Sequence, residues 1–75
     1  MNDSRRKRLV ALVERIGDLV SDLEEIADEE RGAMDNMPES LWGSDRYAEM
    51  ESACGSMDDA VTAMNEAASS LEEVI

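Results

Sequence analysis

Seventy-five residues carrying 19 acidic and 7 basic side chains, with no histidine, give a net charge of −12. A chain this short makes one small domain, residues 1–75, near the lower limit for folding alone. The charge argues against a general electrostatic grip on nucleic acid or on an anionic membrane, and it directs the chain toward basic surfaces.

Phe is absent, and Trp42 and Tyr47 are the only aromatic residues. The apolar content is Ala, Val, Leu, Ile and Met, so a helical core built from it is marginal unless the unit associates. Cys54 is alone, which excludes an internal disulfide framework. No apolar run approaches the ~20 residues that span a bilayer, and the polar N-terminus lacks a signal-peptide core. The expected location is the cytoplasm, with no membrane partner.

The first predicted helix covers about residues 4–36, with Asp3 or Ser4 as N-cap. Leu9, Leu12, Ile16, Leu19, Leu23 and Ile26 follow at alternating spacings of three and four. Glu30 interrupts this seam, and Ala33 and Met37 resume it, as in a heptad a/d pattern. Gly17 and Gly32 fall off the seam, and Pro38 stops the helix. Residues 37–43 read as a turn.

Ser44 or Asp45 caps the second helix, about residues 44–74. Its seam is Tyr47, Met50, Cys54, Met57, Val61, Met64, Ala68, Leu71 and Ile75. Two such seams joined by a short turn predict an all-α fold, an antiparallel two-helix hairpin of coiled-coil type. A register symmetric about the turn sets Ile26 against Cys54, Leu19 against Val61 and Leu9 against Leu71. It also brings Arg5, Arg6, Lys7 and Arg8 beside Glu72 and Glu73. That cluster therefore reads as an intramolecular charge clamp or, if free, as a ligand site.

Each helix carries apolar residues beyond its seam. Val13, Val20, Ala27 and Met34 form one further stripe, and Ala53, Ala60, Ala67 and Val74 form another. In the symmetric register neither is covered by its own hairpin. A three-in-seven apolar face belongs to a helix inside a bundle. The expectation is a homo-oligomer, most simply two hairpins making a four-helix bundle, with a heteromeric partner over the same stripes as the competitor.

The sequence offers no catalytic set. There is no histidine base, and Cys54 sits where a small apolar seam residue belongs, with no neighbouring cation to activate it. Neither Glu-x-x-His motifs nor a calcium loop is present, so no metal and no cofactor is expected. Glu30 reads as a polar seam residue that fixes register or reaches Arg46. Met34, Met37, Leu41, Trp42 and Tyr47 gather near the turn, either as a plug closing the hairpin or as a candidate partner-binding patch.

The run Asp28-Glu29-Glu30-Arg31-Gly32-Ala33-Met34-Asp35-Asn36-Met37-Pro38-Glu39-Ser40-Leu41 resembles a signature of small acidic proteins encoded by phages and prophages of Gram-positive bacteria. In that signature a DEE-x-x-A, a hydrophobic residue and DNMPESL join two helices. The likeness is close over this run and compositional over the remainder, and Trp42 stands where the signature has a polar residue. The resemblance implies a helical pair in a bacterial host and carries no implication of a reaction.

The functional expectation is a non-enzymatic protein-binding module. Its leading form is a phage or prophage inhibitor or adaptor that meets a basic host protein through an acidic face. The alternatives are a purely structural homo-oligomer and a nucleotide sponge, in which the Arg5–Arg8 cluster grips phosphate and Trp42 or Tyr47 stacks on a base.

Overall fold

The computed structural model describes residues 1–75 as all-helical, without strands. Helix α1 spans Asp3–Asp35, a 3-10 turn spans Glu39–Leu41, and helix α2 spans Asp45–Glu72. The N-cap of α1 is Asn2, whose Oδ1 accepts from the Arg5 N–H at 2.8 Å. Asn2 takes the role expected of Asp3 or Ser4 because its extended backbone aims a short polar side chain at the first free amides.

At the far end of α1 the Asn36 N–H donates to the Gly32 carbonyl and the Met37 N–H to the Met34 carbonyl, both at 3.1 Å. Pro38 then forbids another helical residue before it. The connection is held by its own backbone: Leu41 donates to Pro38, Trp42 to Glu39 and Ser44 to Leu41, at 2.8, 3.1 and 3.0 Å. Ser44 Oγ accepts from the Tyr47 N–H at 3.2 Å and starts α2. No residue has a positive φ, glycines included. A Cβ added at Gly17, Gly32, Gly43 or Gly55 would meet nothing within 4 Å.

The two helices pack antiparallel into a rod of 59 × 15 × 12 Å. Its core is thin, with only Val20, Ala27, Met34 and Cys54 buried. Half-buried neighbours extend it along α2 at Tyr47, Met50, Met57, Val61, Met64, Ala68 and Leu71. This is the seam expected for α2 except at its last position, Ile75, which lies past the end of the helix and is exposed.

On α1 the seam differs from the expectation. Leu9, Ile16, Leu23, Glu30 and Met37 are half-buried, but the alternate row is Val13, Val20, Ala27 and Met34. Leu12, Leu19, Ile26 and Ala33, expected inside, are exposed. The heptad spacing is unchanged; the helix is rotated about its axis by roughly 50°, about half the angular step of one residue. Packing supplies the reason. Ala27, 1 % exposed, is the most deeply buried residue between the helices, where a side chain as large as Leu or Ile would hold them apart. Val20 and Ala27, with half-buried Val13 beside them, therefore belong to the hairpin's own interface and are not an uncovered oligomer stripe.

The register is also shifted. Cys54 lies against Met34, with Sγ to Sδ at 3.8 Å, and not against Ile26. Arg31 meets Asp58, and Ala27 shares a groove with Val61. Relative to the symmetric pairing this moves α2 along α1 by about two helical turns, roughly 12 Å. The connection is the cause: it folds back onto the first turn of α2, so the two helix ends are not level. Trp42 stacks on Tyr47 with ring centroids 6.1 Å apart, and its Nε1–H donates to the Met37 carbonyl at 3.0 Å.

The charge clamp fails with the register. Arg6 pairs with Asp3 in its own first turn at 3.2 Å. Arg5, Lys7 and Arg8 have no ion-pair partner, and neither Glu72 nor Glu73 is engaged. The N-terminal turns of α1 extend past the end of α2, and the shallow hollow there is lined by Met1, Arg5, Arg8, Leu9 and Leu12 alone.

Candidate interaction surfaces

The rotation of α1 creates the main feature of the surface. Leu12, Leu19 and Ile26 recur every seven residues along α1 and are 42 %, 57 % and 54 % exposed. Three large aliphatic side chains in line form a continuous stripe, unlike the scattered apolar residues any surface carries. Fully burying a Leu or Ile is worth roughly 1.5–3 kcal/mol, so leaving half of each in water forfeits a substantial part of what so thin a core could gain.

Helical spacing fixes what lies beside the stripe. At 3.6 residues per turn, Arg31 and Asp58 point to one side of the hairpin, and the Leu12–Leu19–Ile26 row points to the other. The Ala53, Ala60, Ala67 and Val74 row of α2 projects to that same side. Ala53, Ala67 and Val74 are exposed and Ala60 is half-buried. The two uncovered rows form one apolar face, high along α1 and low along α2.

The opposite side is polar. Arg31 bridges Asp28 at 3.5 Å and Asp58 across the helix pair. Its hydrogen bond to Asp58, then the attraction of that carboxylate, raise the Arg31 pKa above its ordinary value. Arg31 was not singled out from sequence, although it is the only cation between Arg15 and Arg46. Beside it an open groove of about 470 Å³ is lined largely by polar side chains. Glu30, expected to set the register, is half-buried and makes no ion pair with Arg46.

The candidate patch at the turn divides. Met34 is buried against Cys54, while Met37 and Tyr47 are half-buried. Leu41 is exposed, and so is Trp42, at 45 %. Trp42 is nonetheless pinned by the Tyr47 stack and the Met37 carbonyl, so the turn presents a rigid aromatic edge. It lies at the far end of α1 from Arg5–Arg8, roughly 50 Å away for a helix of this length. One nucleotide cannot reach both, and the sponge built from these residues does not exist within a hairpin.

No group of three or more His, Cys, Asp or Glu side chains converges as a metal-binding set. No helix is long and apolar enough to cross a membrane. Known family models, curated proteins and solved structures contain no match to this chain.

Proposed function

We propose that this chain is a non-enzymatic protein-binding module that docks a helical partner on the apolar face of α1, within a strongly acidic exterior. The observation that carries the reading is the exposure of Leu12, Leu19 and Ile26 in a hairpin with only four buried residues. Such a stripe is what helix-in-groove and bundle contacts use, with anchors spaced at whole turns along one face. The net charge of −12 adds selection: basic partners are attracted over a distance and acidic ones are repelled.

In the bacterial-host setting implied by the turn signature, this describes an adaptor or inhibitor acting on a basic host protein. A purely structural homo-oligomer is the second reading, favoured by the alanine row beside the stripe. It predicts a melting temperature that rises with protein concentration and no host partner.

The test compares the tagged protein with a Leu19→Asp/Ile26→Asp variant, first in self-association and then in capture from bacterial lysate at low and high salt. The reading requires at least one association that the wild type makes and the variant loses. A wild type that neither self-associates nor retains any protein would overturn it.

A further inference from the structure

We infer that the occupant of the α1 face is a second copy of the same chain, docked with its own α1 antiparallel across a two-fold axis near Leu19. This rests on the reading of the α1 face as a docking surface and takes its homo-oligomeric form in place of a basic host partner.

The charges flanking the stripe carry the argument. On its outer edge α1 presents Arg8, Arg15, Asp22 and Glu29, again seven residues apart and all exposed. None makes an ion pair within the hairpin. Read along the helix the signs run plus, plus, minus, minus. An antiparallel copy centred on Leu19 sets Leu12 against Ile26 of the second chain. The same centre, to within half a residue, sets Arg15 against Asp22 and Arg8 against Glu29. The apolar row and the charge row thus demand one axis independently. A parallel copy would place the two charged rows on opposite sides of the seam, where none of these pairs could form. Self-complementarity of this kind is the requirement of a two-fold interface, where the same patch must fit itself, and flanking charges set orientation in helical pairs.

Surface area allows such a pair. A compact monomer of 8.3 kDa exposes about 4,600 Å². This hairpin exposes 5522 Å². The excess, roughly 900 Å², follows from the elongated 59 × 15 × 12 Å shape and leaves surface enough for the ~800 Å² that each partner contributes to a standard interface. The low alanine row of α2 lies on the same face and leaves room for the second hairpin to settle.

Sedimentation equilibrium on paired charge variants tests this. One chain carries Arg8→Glu and Arg15→Glu, and the other carries Asp22→Arg and Glu29→Arg. Circular dichroism first establishes that both remain helical, as expected for exposed sites. The wild type should dimerise. The Arg8→Glu/Arg15→Glu variant alone should associate at least about tenfold more weakly, since every flanking pair becomes a like-charge pair and the chain becomes still more acidic, and an equimolar mixture with its counterpart should recover a one-to-one dimer. A wild-type dimer indifferent to both variants, or a mixture that recovers nothing, overturns the antiparallel α1 pairing. A monomeric wild type that binds a basic protein through Leu19 and Ile26 overturns the second-copy occupant and leaves the binding-module reading standing.

Discussion

Substituting Ala27→Leu and Ala33→Leu in parallel tests the packing of α1 with a matched pair. The change is the same, both sites are in one helix, and Ala and Leu differ little in helix propensity, so the difference between the variants reports packing. Ala27 is 1 % exposed between the helices, and a leucine there must force apart backbones that Ala allows to approach. Overpacking of this kind costs about 1–3 kcal/mol. A chain of 75 residues has an unfolding entropy near 160 cal/mol/K, so each kcal/mol is worth roughly 6 °C, and Ala27→Leu should melt about 6–18 °C lower. Ala33 is exposed, and a leucine there should shift the melting temperature by no more than about 3 °C. Thermal melts followed by far-ultraviolet circular dichroism at equal concentration give the comparison. Equal effects, or a larger loss at residue 33, would refute the rotation of α1 and return Leu12, Leu19 and Ile26 to the interior.

Trp42→Phe keeps a ring on Tyr47 but removes the N–H that reaches the Met37 carbonyl. It should cost about 0.5–1 kcal/mol, read as a fall in denaturant midpoint at unchanged slope. Arg31→Ala and Asp58→Ala should each lower the melting temperature by less than Ala27→Leu does. The double variant should lose no more than the worse single one, and high salt should erase the difference, as for exposed ion pairs. Self-association should strengthen with salt, because two chains of charge −12 at ~20 Å repel by a few kcal/mol at physiological ionic strength. That outweighs a handful of exposed flanking pairs, and sedimentation at low and high salt measures it. Binding to a basic protein should weaken under the same change, so the sign of the salt effect separates the two kinds of partner.

Much of the architecture is legible in the residues. Alternating spacings of three and four mark both helices, Pro38 and Ser44 bound the connection, and the α2 seam follows from its own pattern. The rotation of α1 is a different matter. Leu9, Ile16 and Leu23 are flanked by apolar rows on both sides, Leu12–Leu19–Ile26 and Val13–Val20–Ala27, and either completes a heptad seam. Periodicity has nothing with which to choose. The choice is made across the interface, by how closely α2 can approach Ala27 and how Met34 meets Cys54. Register is equally non-local. Assuming level helix ends misplaced it because the residues after Pro38 curl back on Tyr47. The basic clamp at Arg5–Arg8 depended on that assumption and fell with it. The uncovered face is readable as an excess of apolar residues, but a level-ended pairing puts it on the wrong flank of α1. Arg31 was missed because a lone cation in an acidic helix has no sequence partner until Asp58 is brought opposite it.

The four glycines, none in a conformation reserved for glycine and none crowded, show where this fold keeps its headroom. Alanine at Gly17, Gly32 and Gly55, all inside helices, would each restrict the unfolded chain and add about 0.4–1 kcal/mol. A two-helix unit this lightly cored could therefore have been made markedly sturdier by three small changes that touch no neighbour. Its rigidity alone does not set its composition. If a helix docks along α1 as proposed, occupancy should also set the protein's lifetime: the empty hairpin should be cut by proteases faster than the docked one.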